Sequence, residues 1–129
     1  YEISLCLVGS EMCIRDRDCP EESRNCFRSM MGLDGTPQEV HAAAMDWVNS
    51  QNRTSVETQA ETTSHTVFRT PWMLYPDDFF IETGCTENGT WIQIHSESRL
   101  GIGDGGVNQE RVDALLNHMV SIEFEISDC

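Results

Sequence analysis

The sequence predicts an α+β domain in which a small antiparallel sheet of about four to five strands is packed by two helices. Three stretches carry that prediction. From Thr90 to Ser98 the chain alternates, with Trp91, Gln93, His95 and Glu97 on one face and Ile92, Ile94, Ser96 and Ser98 on the other, which is the period of a strand. Gly101, Gly103, Gly105 and Gly106 follow, and then Val112, Leu115, Leu116 and Met119 recur at the three and four spacing of a helix from about Asn108 to Met119 that buries one stripe. Thr36-Pro37-Gln38-Glu39 has the form of a second helix start: a hydroxyl N-cap, proline at the first helical position and glutamate three residues after the cap.

The first seventeen residues are set apart. Glu11 to Arg17 (EMCIRDR) is the peptide that a transposase adapter used in sequencing libraries encodes in one reading frame. Residues 1 to 17 are therefore read as adapter-derived rather than native, and residues 18 to 129 as a single domain. The alternative, a remnant secretory segment at Ile3 to Gly9, lacks the basic residue that precedes such a segment. On this reading the native N-terminus, with any targeting signal, is missing.

In order along the rest, Asp18 to Gly35 is rich in turn formers and is expected to be an ordered loop or extended arm. The first helix should run to about Ser50 with Val40, Ala44, Trp47 and Val48 facing the core, and His41 and Asp46 pointing elsewhere. Threonine- and valine-rich sequence from Thr54 to Thr70 suggests two short strands, about Ser55 to Glu61 and His65 to Arg69. Pro71 and Pro76 bracket Trp72-Met73-Leu74-Tyr75, expected as a loop packed over the sheet edge. Asp77 to Thr83 reads as a strand, Gly84 to Gly89 as a hairpin connection and Thr90 to Ser98 as its antiparallel return. Ser121 to Ile126 (SIEFEI) alternates and is expected to add an edge strand.

The chain carries a formal charge of −14 and no lysine, so its surface repels phosphate backbones and nucleic acid is not an expected partner. No apolar run reaches the length of a membrane span, so no transmembrane segment is expected. With Cys6 and Cys13 assigned to the adapter, four cysteines remain: Cys19, Cys26, Cys85 and Cys129. That even number, with the glycosylation-type patterns Asn52-Arg53-Thr54 and Asn88-Gly89-Thr90, leans toward an oxidising, extracytoplasmic compartment and leaves room for a disulfide. Neither a C-x-x-C nor a close Cys/His pair occurs, so no metal and no cofactor is expected.

The run from Ser96 to Arg111 carries a resemblance. Ser96, Ser98, Arg99, Gly101, Asp104, Gly106, Asn108 and Arg111 fall on a pattern of the form S-x-S-R-x-G-x-x-D-x-G-x-N-x-x-R. It resembles the signature of the domain of unknown function 1499 family, whose D-D strand start is similar to Asp77-Asp78 here and whose N-C-x-S-S opening is similar to Asn25-Cys26 and Ser29. His95, Glu97 and Gln109 stand where that family carries arginine, a small residue and a basic residue. The resemblance spans the whole of residues 18 to 129 and implies a fold rather than an activity.

Two functional readings remain for these residues. Asp77, Asp78, Ser96, Ser98, Arg99, Gly101, Asp104, Gly106, Asn108 and Arg111 form a structural turn, with Asp104 or Asn108 capping the second helix and Arg99 buried against Asp77, Asp78 or Asp104. The protein is then a non-catalytic module that binds a partner protein or a small apolar ligand in a pocket lined by Trp47, Phe79, Trp91 and Leu116. Alternatively, Arg99 and Asp104 form an anion or carboxylate site of a small enzyme or ligand sensor, with His95 and an acid converging on a polar cleft. The absence of a visible nucleophile with an adjacent base favours the first reading and leans against an enzyme.

Overall fold

The computed structural model describes residues 26–100 and 106–127. Strands β1 (Cys26–Leu33), β2 (Thr54–Gln59), β3 (Thr63–Arg69), β4 (Pro76–Thr86) and β5 (Gly89–Ser98) form one sheet, joined by helices α1 (Pro37–Asn49) and α2 (Val107–Val120). The sheet order is β1-β5-β4-β3-β2, with every neighbouring pair antiparallel. The fold is thus the α+β class that the periodicities imply, with β2 to β5 as a meander and β1 returning beside β5. Residues 1–25, 101–105 and 128–129 lie outside the described residues, and with them the adapter reading, Cys19 and Cys129, and the motif residues Gly101 and Asp104.

Both helices lie on one face of the sheet, the face to which the central strands turn an unbroken aliphatic and aromatic row. Phe79 and Ile81 of β4 and Ile92 and Ile94 of β5 pack with Val40, Ala44 and Val48 of α1 and Val112, Leu115, Leu116 and Met119 of α2. As expected for that stripe, Glu110, Asp113 and Asn117 point to solvent. Thr36 caps α1, its Oγ1 accepting the Glu39 amide at 3.1 Å. His41 departs from expectation: it is buried, 1% exposed, and its Nε2 lies 3.0 Å from Ser64 Oγ of β3. A hydrogen-bonding partner across the interface allows a polar ring on the inner side of the helix.

Four further segments depart from the sequence reading. Cys26–Leu33 is a full edge strand, not a loop; Phe27, Met31 and Leu33 pack on the core, but Ser29 on the inner face and Met30 on the outer face blur the alternation. SIEFEI makes no strand. Ile122 and Phe124 pack against the core while Glu123 and Glu125 are exposed, so its alternation reflects burial without strand pairing. The β4–β5 connection is also shorter than expected, since Thr86 pairs with Gly89 and leaves two residues in the turn. Gly89 has φ 152°, and a Cβ there would stand 2.5 Å from the Leu33 carbonyl oxygen. Lastly, the Pro71 to Tyr75 loop does not pack over the edge: Trp72 is 96% exposed, and Met73 and Leu74 are also exposed.

Candidate functional site

The motif residues of β5 and α2 form a buried polar latch. Even-numbered positions of β5 face the helices, so Ser96 and Ser98 continue the inner row begun by Ile92 and Ile94. Asn108, the second residue of α2, accepts a short hydrogen bond from Ser96 Oγ and donates from Nδ2 to Ser98 Oγ at 3.0 Å. Arg111 lies three residues along the helix, and its Nη1 donates to Ser96 Oγ and to Asn108 Oδ1 at 3.3 Å each. The same nitrogen is 3.1 Å from Asp77 Oδ2, with the arginine side chain 11% and the aspartate 2% exposed. That Asp77 oxygen has no well-aligned hydrogen bond, so the contact is one of charge. The Phe68 ring lies 4.6 Å from the guanidinium carbon. Together these contacts tie the first turn of α2 to β4 and β5.

Of the two residues expected to cap α2, Asp104 lies outside the described residues and Asn108 does not take the cap position. Gly106 is the N-cap, at φ 87° and with no side-chain cap bond, while Asn108 is committed to the two serines. Among the described residues, its chain neighbours aside, no atom stands within 4 Å of where a Gly106 Cβ would lie, so glycine serves the left-handed backbone there.

Arg99 makes the two-pronged contact expected of it, and the partner is Asp78: Nε to Oδ2 at 2.9 Å and Nη2 to Oδ1 at 2.8 Å. It is not buried, however; its side chain is 44% exposed. Position 99 follows the outer row of β5, away from the helices. His65 of β3 joins the pair, its Nε2 2.6 Å from Asp78 Oδ1 and its ring stacked on Phe80 at 4.4 Å. Burial alone would raise the Asp78 carboxyl, but hydrogen bonds and positive charge from Arg99 and His65 outweigh it and hold the group below the ordinary carboxylate range.

The same outer face brings together residues that the sequence reading left apart. Cys26 of β1 sits opposite Glu97, and the fully buried His95 reaches both: Nε2 is 3.5 Å from Cys26 Sγ and 3.1 Å from Glu97 Oε1. Ligand-type atoms of these three lie within 4.8 Å of one another. A thiolate there would suit either a metal or a nucleophile beside a base. Cys26 is not a free thiol, which removes its sulfur from both roles. The signal was present in the alternation of β5, but β1 had to be recognised as its neighbour before Cys26 could be placed.

The expected pocket of Trp47, Phe79, Trp91 and Leu116 does not form. Phe79 faces the helices, whereas Trp91 pairs with Gly84 on the outer row, so one cavity cannot reach both. Among the described residues two open hollows lie elsewhere. One of about 670 Å³ is lined by Leu33, Val120, Ile122, Phe124 and Ile126 among others. The other, of about 300 Å³, includes Trp47, Arg53, Phe68, Arg69, Pro71 and Val107. No helix among the described residues is long and apolar enough to cross a membrane.

The model of a family described as Protein of unknown function (DUF1499) matches residues 10–119. No curated protein matches the chain.

Proposed function

Because the chain belongs to the domain of unknown function 1499 family, whose description names no activity, we propose its role from its surface: a non-catalytic module that docks on a partner protein through Trp72, Met73 and Leu74. The observation that carries this reading is the exposure of those three side chains, 96%, 63% and 51%, at adjacent positions. The loop backbone is held by the Leu74 amide donating to the Thr70 carbonyl at 3.1 Å, the Thr70 amide to the Tyr75 carbonyl at 3.0 Å and the Tyr75 amide to Thr70 Oγ1 at 3.0 Å. Trp72 and Leu74 have φ of 69° and 56°, a conformation that costs free energy for residues other than glycine. A fixed tryptophan of this kind suits an interface hot spot. Burying its ring would contribute about 4 to 6 kcal/mol before association costs. The charge of −14 disfavours an anionic lipid surface as the alternative.

The motif supports a non-catalytic role because Ser96, Ser98, Asn108 and Arg111 satisfy one another inside the fold. A small enzyme or sensor built on Arg99 and Asp104 has less support, since both arms of the Arg99 fork engage Asp78. The open hollow where Leu33, Val120, Ile122 and Phe124 stand beside polar Asp34, Asn88 and Glu123 is the place for a small, partly apolar ligand as a second occupant. An extracytoplasmic setting is the compartment we propose; it is supported by the described cysteines, Cys26 and Cys85, neither of which is a free thiol.

A photo-crosslinker at Met73 tests docking in the native cells. One discrete protein adduct is expected, lost on Trp72→Ser and absent when the crosslinker is moved to exposed Val56 on β2. The same adducts from both positions, or adducts indifferent to Trp72→Ser, would overturn the reading. A blue shift of tryptophan emission on phosphatidylcholine vesicles, absent in Trp72→Ser, would replace the protein partner with a membrane surface.

A further inference from the structure

We infer that the hollow of about 300 Å³ beside the start of α2 is a binding site for a small organic monocarboxylate with an apolar body. Its size is at the lower end of small-molecule sites. Its apolar surface comes from Trp47, Phe68 and Pro71. Arg53 and Arg69 supply the charge, and their setting differs from that of the two arginines of the motif. Arg99 is paired with Asp78 and Arg111 with Asp77, whereas neither Arg53 nor Arg69 forms an ion pair among the described residues. Both are aimed by backbone carbonyls instead: Arg53 Nε donates to the Arg69 carbonyl at 3.2 Å, and Arg69 Nη1 to the Leu74 carbonyl at 3.1 Å. The remaining guanidinium donors carry their charge without a carboxylate, in a chain of net charge −14.

Two observations strengthen the preference for an anion. Val107, the first residue of α2, lines the hollow, which sets the positive end of the helix dipole beside it. Arg53 also holds φ 58°, a costly backbone that fixes the base of its side chain. The acid lining the hollow is Glu110. With Arg111 balanced by Asp77, two arginines against one glutamate leave a single positive charge. That balance selects one carboxylate and disfavours a phosphate dianion. The carboxylate can belong to a free acid or to the end of a peptide, which present the same chemistry.

The test uses the isotope-labelled full chain and follows the Trp47 indole and arginine Nε signals by NMR. Phenylacetate represents a free acid and N-acetyl-leucine a peptide end; phenylacetamide, N-acetyl-leucinamide and inorganic phosphate are the controls. Either acid is expected to shift the signals, identifying the source, while the amides and phosphate leave them in place. Arg53→Gln and Arg69→Gln should each weaken binding about tenfold, the loss expected of one charge-assisted contact. Glu110→Gln should tighten it. Both arginine side chains are exposed, so melting temperatures should stay near wild type and separate lost binding from lost fold. Amides that bind as well as acids, acids that shift nothing, or arginine variants that bind like wild type would overturn the assignment. Trp72 does not line this hollow, so Trp72→Ser should keep carboxylate binding even if docking through the loop proves wrong.

Discussion

The latch places the largest single-residue contribution of the motif on Arg111, and its removal has a calculable consequence. Arg111→Ala deletes an ion pair whose partner, Asp77, is 2% exposed, together with donors to Ser96 and Asn108 and the stacking on Phe68. The orphaned Asp77 charge would then remain in a site that water hardly reaches. Breaking a buried pair in this way costs about 3 to 5 kcal/mol. The Arg99 fork is 44% exposed, and solvent screening limits its contribution to about 1 kcal/mol or less. Urea unfolding at pH 7, followed by far-ultraviolet circular dichroism, should give a much lower midpoint for Arg111→Ala and a nearly unchanged one for Arg99→Ala. Arg111→Lys should fall between, because a point charge cannot reproduce the flat fork. Adding Asp77→Asn to Arg111→Ala should recover stability, since the uncompensated charge is gone. If Arg99→Ala cost as much as Arg111→Ala, or the double variant were weaker than Arg111→Ala, the buried-charge argument would be refuted.

Two further variants probe the frame around the latch. Burial lowers the His41 pKa to about 4 from 6.5, so the unfolded chain binds the proton more readily; the neutral ring's contribution is complete above pH 6.5 and is withdrawn as pH falls toward 4. It amounts to at most about 3 kcal/mol, and wild-type stability should drop more steeply than that of His41→Gln between pH 6.5 and 4.5; parallel profiles would show that His41 is not the titrating group. Gly89→Ala, with φ 152° and a carbonyl oxygen 2.5 Å from the new Cβ, should cost about 1 to 3 kcal/mol, and a wild-type midpoint would show that the β4–β5 turn shifts freely.

Elements whose apolar period matched their environment were legible. α2 buries one continuous stripe, β5 turns Ile92 and Ile94 to the helices as its alternation implied, and the Thr36 cap marked the start of α1 through its own hydrogen bond. β1 was missed because Ser29 and Met30 blur its alternation. SIEFEI was overread for the complementary reason: Ile122 and Phe124 do alternate with exposed glutamates, but alternation reports a buried side and says nothing about a hydrogen-bonded neighbour. The apolar loop at Trp72 shows a third limit. Composition marked it as apolar, whereas its placement depends on two left-handed residues that no periodicity reveals.

The mistaken placement of Arg99 has a more specific cause, since the information that separates the two motif arginines was present as parity. In β5 the even positions 92, 94, 96 and 98 face the helices, so position 99 continues the outer row. In β4 the inner row is Asp77, Phe79 and Ile81, which leaves Asp78 outside with Phe80. On α2, Arg111 shares a stripe with Asn108, Val112 and Leu115, three residues after the first and four before the last. Parity alone therefore pairs Asp77 with Arg111 inside and Asp78 with Arg99 outside, as the distances of 3.1 and 2.8 Å confirm. Adjacency of Arg99 to acids in sequence outweighed that signal, yet adjacent residues of a strand lie on opposite faces and answer to different surroundings. The adjacent acids Asp77 and Asp78 thus serve two different arginines. The inner pair fastens the helix that bears the motif, and the outer pair, with His65, lies on the opposite face of the sheet.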